Sequence, residues 1–376
     1  MDNHKPNKDL FVPVDIKDEE NEKIARPALS FWKDSFIRLR KNFGAMVGLV
    51  VLIILTLLAI FGPYMNDFGQ YDQDLTVAKM PPKIDGLGWL GFDGTLSTVE
   101  SAPTVEEAKE KALMRFNNQE EYIDTTIVSE GGNGEPAEVE AEYDVYAAKD
   151  VKENYWFGTD GLGRDQWSRT WHGTRVSLFI AIVATAIDML IGVAYGGISA
   201  YYGGRVDNYM QRVIEILIGV PNLVIVILMI LILDPGIISI IIALALTSWI
   251  SMARIVRGQI LKLKNQEFVL ASQTLGASDN RVLRRHLIPN VMGLIVINTM
   301  FTIPSAIFFE AFLSFIGLGL PTPMASLGTL VNAGFSSLQI YPHMLLFPAV
   351  VISLIMIGFN VLADGLRDAF DPKMRE

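Results

Sequence analysis

Six stretches of the chain are almost free of charge: Asn42 to Asn66, Val176 to Gly204, Ile216 to Leu233, Ile237 to Ala253, Val291 to Leu320 and Met344 to Ala363. Polar positions crowd into what lies between them: an N-terminal tail, one long acidic stretch and one basic loop. A helix needs about 20 apolar residues to cross a bilayer, so the pattern predicts six transmembrane helices. Only Asp188, in the second stretch, and Glu310, in the fifth, are charged. Asp234-Pro235-Gly236 leaves room only for a tight hairpin between the third and fourth spans. Pro221 and Pro304 predict interruptions of the third and fifth, tolerated where other helices or water satisfy the freed backbone. Gly192, Gly196 and Gly197 predict a close helix approach along the second.

At shorter range, Phe31, Trp32, Phe36 and Leu39 fall among Lys33, Arg38, Arg40 and Lys41 at helical spacing. This fits an amphipathic helix on the membrane surface and equally the wet end of the first span. Residues 31 to 66 are therefore read together. Residues 1 to 30 are too polar to offset their ordering entropy and read as a disordered cytosolic tail. Basic residues precede the first span and acidic ones follow it. That asymmetry predicts a cytosolic N-terminus and an external second segment. An even number of spans returns residues 369 to 376 to the cytosol.

From Tyr64 to Trp156 there are 20 acidic and 7 basic residues, net −13 in a chain of net −10, so the remainder is mildly basic. Residues 67 to 156 thus form an acidic extracytoplasmic insert of mixed structure. Val105 to Tyr122 reads as helix, Gly131, Gly132, Gly134 and Pro136 as a turn, and Glu138 to Val145 as a strand, with weak internal order. A spacer peculiar to this lineage and a contact surface for an external partner both fit.

Residues 254 to 290 are the basic loop. Gln266 to Leu275 reads as a short helix closed by Gly276, and Ser278 to His286 as a second, stopped by Pro289. Arg254, Arg257, Lys262, Lys264, Arg281, Arg284 and Arg285 outnumber Glu267 and Asp279, which places the loop in the cytosol. A polar helix–turn–helix between two spans suits the docking of a soluble partner. Arg254 and Arg257 also fit anchoring to anionic lipid.

Composition agrees with a membrane protein: 51% of the 376 residues are hydrophobic and 19% charged. The absence of cysteine excludes disulfides, thiolate metal sites and thiol nucleophiles. No Gly-Lys pair occurs, so there is no phosphate-binding loop of that type, and the four histidines lie far apart in sequence. The chain is read as no enzyme, with no catalytic residue, metal site or cofactor of its own and no nucleic-acid partner. Transport would need energy from elsewhere. A charge inside a span costs about 2.5–3.5 kcal/mol and usually faces a cavity or a partner. Asp188 and Glu310 are therefore candidates for a translocation path, or else for interhelical hydrogen bonds.

One family resemblance gathers these features. Leu270-Ala271-Ser272, then Gly276, then Leu287-Ile288-Pro289 is similar to the signature loop of bacterial binding-protein-dependent ABC permeases, whose pattern is Glu-Ala-Ala, Gly and an apolar-x-Pro. The family's glutamate is replaced here by Leu270, with Glu267 one turn earlier. Phe157-Gly158-Thr159-Asp160, Gly163-Arg164-Asp165, Gly173-x-Arg175-x-Ser177-Leu178, Glu310-Ala311-x-Leu313-Ser314-Phe315 and Asp364-Gly365-Leu366-Arg367-Asp368 resemble the oligopeptide/dipeptide/nickel branch, C-type subunit. The resemblance spans residues 30 to 63 and 155 to 372 and leaves out the insert. It implies an all-α membrane protein with the type I importer permease fold, carried by residues 157 to 368. It also implies half of a pore for peptides, completed by a B-type permease. Two cytosolic ATPases would bind ATP and Mg, and an extracytoplasmic binding protein would deliver substrate. Glu267, Leu270, Ala271, Ser272, Gly276, Ala277, Leu287 and Pro289 would form the ATPase coupling contact. Nickel or another small solute is the alternative within the family. Outside it stand an ion-coupled secondary transporter using Asp188 and Glu310, and a membrane scaffold presenting the insert.

Overall fold

A computed structural model describes residues 31–116, 118–131 and 135–370. The expected N-terminal tail, the glycines Gly132 and Gly134 of the expected turn and most of the C-terminal segment lie outside the described residues. Helix α1 (Phe31–Lys41) is amphipathic, with Trp32, Phe36 and Ile37 exposed and an Asp34–Arg38 ion pair of 3.1 Å one turn apart. Asn42 breaks it from α2 (Phe43–Phe61) and caps the new helix by accepting from the Ala45 N–H.

The insert is ordered. Strands β1 (Thr95–Ala102), β2 (Ile123–Ser129) and β3 (Ala137–Asp144) form an antiparallel sheet in the order β1-β3-β2. Helix α3 (Val105–Arg115) covers one face, its Ala108 packed on Ala102 and Val139 of the sheet. The expected helix is thus shorter than Val105 to Tyr122, and the expected strand is β3. A short α4 (Val145–Ala148) closes the unit. The expectation of weak internal order is corrected. Ala137, Val139 and Ala141 alternate along β3 and are all buried. Alternate positions share one face of a strand, and these small side chains leave that face flat enough for α3 to lie on.

Helix α5 (Gln166–Tyr202) is the axis of the membrane bundle. Its 37 residues extend about 55 Å, longer than the hydrocarbon core, so its last turns project beyond it. Next come α6 (Gly204–Gly219), α7 (Asn222–Leu233), α8 (Ile237–Thr247) and α9 (Trp249–Leu263). After them follow α10 (Glu267–Thr274), α11 (Asp279–Arg281), α12 (Ile288–Phe315), α13 (Leu327–Phe335) and α14 (His343–Phe370). Among the described residues, five helical segments are long and apolar enough to cross a membrane, and a sixth counts if α6 and α7 form one broken span.

That break falls where Pro221 was expected to interrupt the third span, Ile216 to Leu233. Pro221 forces Val220 into an extended conformation and gives no N–H to the ladder. The chain bends by 83° there. Pro304, by contrast, interrupts nothing: α12 runs through it, packed against α5, α13 and α14. Gly192 and Gly196 do bring α5 against α9. A Cβ on Gly196 would lie 2.2 Å from the Ala253 carbonyl oxygen, and one on Gly192 would lie 2.6 Å from Met252 Cβ. Gly197 is looser, 3.6 Å from Leu283.

Candidate functional site

The loop after α9 is built on a buried seat. Val269, Val282 and Leu287 are fully buried in one cluster with Ala200, Ile260 and Val291. Above that seat α10 turns Phe268, Leu270 and Leu275 outward, Leu275 being 88% exposed. The helix ends at Gly276, whose φ is +82°. The Ala277 N–H donates to the Ser272 carbonyl at 3.1 Å and the Gly276 N–H to the Gln273 carbonyl at 2.9 Å. These two bonds with a left-handed glycine make a Schellman stop, which satisfies carbonyls the helix end would leave orphaned. Glu267, Leu270, Ala271 and Gly276 lie on the exposed side, with Ser272 and Ala277 half-buried. Leu287 does not: it is fully buried and holds the loop from beneath.

Pro289 is exposed and does not stop a helix, which corrects the expected second run. Residues Asp279–Phe315 are one continuous helical segment. Val282–Leu287 winds as a π-helix directly before Pro289, which enters at the first turn of α12. Proline has no N–H to give, and a locally widened turn is one way a helix absorbs the missing bond.

Polar side chains tie this loop to the projecting end of α5. Tyr201 donates to Asp279 at 2.8 Å and accepts from Gln273 at 3.3 Å. Lys264 donates to the Ala200 carbonyl at 2.9 Å. Arg257 makes two 2.6 Å bonds to Asp207 on α6, and Ser199 donates to the same carboxylate. Arg257 is thus an interhelical clamp, not a lipid anchor, while Arg254 is exposed. The sequence reading missed Asp207, Tyr201 and Ser199. Asp207 and Tyr201 find partners 50 and 78 positions away, beyond any local pattern, and Ser199 joins through Asp207.

The two intramembrane acids have different surroundings. Glu310 is fully buried and accepts from Ser177 at 2.9 Å, Ser314 at 2.9 Å and Ser326 at 2.7 Å. It joins α5, α12 and the start of α13. A cavity of about 370 Å³ opens between α7, α8, α9 and α12, and Glu310 is not among the residues lining it. Asp188 is 3% exposed, its Oδ1 has no partner, and its carboxylate lies beside Ser248, which lines that cavity. Among the described residues no group of three or more His, Asp or Glu could hold a metal ion.

The residues from Phe157 to Ser177 form a clasp outside the loop site. Asp160 accepts from the Leu162 and Arg164 N–H groups and pairs with the Arg164 guanidinium at 2.7 Å. Gly163, at φ +73°, lies against the Asp74 carbonyl so closely that a Cβ would be 1.8 Å from its oxygen. Arg175 donates to the Ala59 and Ile60 carbonyls at 3.0 and 2.9 Å, capping the end of α2. These motif residues fasten the insert and α2 to α5.

Two family models match the chain. The model for the N-terminal TM domain of oligopeptide transport permease C matches residues 30–82. The model for the binding-protein-dependent transport system inner membrane component matches residues 190–376. The oligopeptide transport system permease protein OppC of Bacillus subtilis (strain 168) is 42% identical over 369 residues, 98% of this chain and 98% of the relative. The chain belongs to that permease family. The dipeptide transport system permease protein DppC of the same organism is 40% identical over 97% of this chain and 93% of its own length. OppC of Escherichia coli (strain K12) is 33% identical over 94% and 95%. The permease is a multi-pass membrane subunit of an ABC import system, not itself an enzyme. Its system has ATPase and binding-protein partners.

Proposed function

We propose that the permease forms half of the translocation pore of a peptide importer and couples it to ATP hydrolysis through α10. The exposed apolar face of α10, raised on a buried seat and stopped at Gly276, carries this reading. Phe268, Leu270 and Leu275 are the large apolar side chains that α10 and its stop present outward, and a groove on a cytosolic ATPase is the surface that would cover them. Glu267, Ala271, Ser272, Ala277 and Pro289 surround them and complete the contact. The ATPases bind ATP and Mg. Their closure would move α10, and the Tyr201–Asp279 and Arg257–Asp207 links would carry that movement into α5 and α6. A B-type permease completes the pore, and the binding protein delivers peptide from outside.

The test is to co-express the permease with a B-type partner, both ATPases and the binding protein, purify the assembly and measure uptake into proteoliposomes. ATP-dependent accumulation of a labelled tripeptide is expected. Accumulation of nickel ions with no peptide uptake would replace the substrate, and a permease that purifies without ATPases would remove the coupling role.

The orientation has its own check. In this reading both termini lie in the cytosol of a bacterium's cytoplasmic membrane, and residues 67 to 156 lie outside. The chain has no cysteine, so Glu120→Cys is a single reporter. An impermeant thiol reagent should label it in intact spheroplasts; labelling only after permeabilisation would invert the topology.

A further inference from the structure

Polar side chains stand in the open at the depth of the membrane. On the wall of the cavity between α7, α8, α9 and α12, Asn222, Ser251 and Ser305 are exposed. Ser251 falls near the middle of the Ile237–Leu263 span and Ser305 near the middle of α12. Elsewhere α7 and α8 turn apolar groups outward: Leu231 is 77% exposed and Ile238 70%. Hydrocarbon cannot satisfy a hydroxyl or a carboxamide, so lipid covers the Leu231 side and the cavity wall faces away from it. The backbone agrees. The chain bends by 83° at the extended Val220 and at Pro221, and Asn222 enters the cavity wall directly after the bend. Irregular backbone at membrane depth is tolerated where it is buried in protein or lines a water-filled cavity.

Two kinds of polar group share the wall. Ser248, Thr302 and Ser305 donate back along their own helices, to the Leu244, Asn298 and Phe301 carbonyls at 2.7, 2.9 and 3.0 Å, and offer a guest their oxygen lone pairs. Asn222, Thr247 and Ser251 make no side-chain hydrogen bond to any described residue. Their hydroxyl and amide protons are free, so the wall both donates and accepts. No charged side chain lines it. A peptide unit offers one N–H donor and one C=O acceptor whatever its side chain. A hydroxyl or a carboxamide pairs with either, and can exchange one for the other as a chain advances. A wall without charge of its own exerts little selection on charged side chains, and its neutral hydrogen bonds are weak enough to release the guest.

We propose that this cavity is a wet transit subsite that takes a peptide by its main chain and is blind to its side chains, with Asn222, Thr247 and Ser251 pairing with the passing N–H and C=O groups. The inference rests on the peptide-import reading and adds how the membrane-embedded subunit recognises its cargo. Selection among side chains then falls to other components of the transporter. A site near the midplane is also where access alternates between the two faces of a membrane.

The experiment uses the complete transporter in proteoliposomes. The chain has no cysteine, so Ser251→Cys and Leu231→Cys each give this subunit a single thiol. A thiol reacts as its thiolate, which needs water, so a charged thiosulfonate should modify Ser251→Cys about 10-fold faster than Leu231→Cys, or more. Equal rates, or no reaction at Ser251→Cys, would make the wall a lipid face or a dry subunit contact and overturn the proposal. The second arm gives the wall a charge. Uptake of alanyl-lysyl-alanine and of alanyl-glutamyl-alanine is measured with saturated binding protein, and the ratio in each variant is divided by the wild-type ratio, so the binding protein's own preference cancels. Ser251→Asp should raise the lysyl-to-glutamyl ratio about 10-fold, the scale of one charge-assisted hydrogen bond, and Ser251→Lys should lower it as much. The neutral Ser251→Asn should leave it unchanged. Should the charged variants fail to assemble, a negatively or a positively charged thiosulfonate attached to Ser251→Cys after assembly supplies the same charges. A ratio unmoved by either charge takes Ser251 off the peptide's path and overturns the proposal. A wild-type transporter that accumulates neither peptide would instead remove the peptide-import reading.

Discussion

Gly276→Val should reach the membrane at normal abundance and lose most of its transport. A non-glycine residue in the left-handed region costs about 1–2 kcal/mol, enough to shift the populations of the turn roughly 10-fold. Within the permease the new side chain meets nothing, because no atom lies within 4 Å of a Cβ built at this position. The spans and the buried seat at Val269 and Leu287 are untouched, so insertion should survive. Two further variants separate the causes. Gly276→Ala adds the backbone strain with little bulk. Gly276→Asn adds bulk with less strain, since asparagine visits this conformation more readily. Loss in Ala and Val, with Asn largely spared, points to the turn geometry. Loss in Val and Asn, with Ala mild, points to a partner surface pressed against residue 276. The measurements are membrane abundance, ATPase co-purification and uptake. Normal uptake by all three variants at normal abundance would remove the coupling role from this loop.

Much of this site could be read from the chain because its chemistry is local. A glycine closing a short helix is a one-position signal, and the Schellman bonds of Gln273, Gly276 and Ala277 follow from it. The spans were legible for a similar reason: an uncharged run of about 20 residues has few other uses. The failures are of another kind. Pro221 and Pro304 look alike in sequence, yet one bends the chain by 83° and the other sits inside a continuous helix. Packing on several sides decides whether a helix survives the lost hydrogen bond, and the local sequence does not contain that information. Strand β1, Thr95–Ala102, carries so few large apolar residues that period-two alternation hardly registers; it forms because β3 and α3 are there to pair and pack with it. Arg257 looked like a lipid anchor because Asp207 is 50 residues away. Leu287 belongs to the motif that resembles the family's loop, and the motif alone did not say that it points inward.

Glu310→Leu should abolish the folded permease, and the reason lies in how the carboxylate is held. Three serine hydroxyls from α5, α12 and the N-terminus of α13 converge on it. Two of them also accept from the first turn of α13: Ser177 Oγ from the Leu327 N–H at 3.1 Å and Ser326 Oγ from the Thr329 N–H at 3.1 Å. The positive end of that helix is thus relayed through two hydroxyls to one carboxylate, and such chains polarise and strengthen one another. The approach is close on every side, since a Cβ on Gly328 would lie 2.5 Å from Ala311 Cα and one on Gly173 would lie 3.0 Å from the Ser326 carbonyl carbon. No water can replace the lost acceptor without moving a helix. Leucine would strand up to three buried donors at about 1–3 kcal/mol each, comparable with the net stability of many domains. Glu310→Gln keeps the shape but turns an NH₂ group toward hydroxyls that are themselves donating, so it should unfold earlier than wild type while retaining some assembly. Ser177→Ala and Ser326→Ala each remove one donor to Glu310 and one acceptor from an α13 N–H, and should cost about 1–3 kcal/mol apiece. Thermal unfolding in detergent and membrane abundance read these changes. A Glu310→Gln permease with wild-type thermal stability and abundance but no transport would return Glu310 to the translocation path, because a residue that only joins helices cannot lose function without loosening the fold.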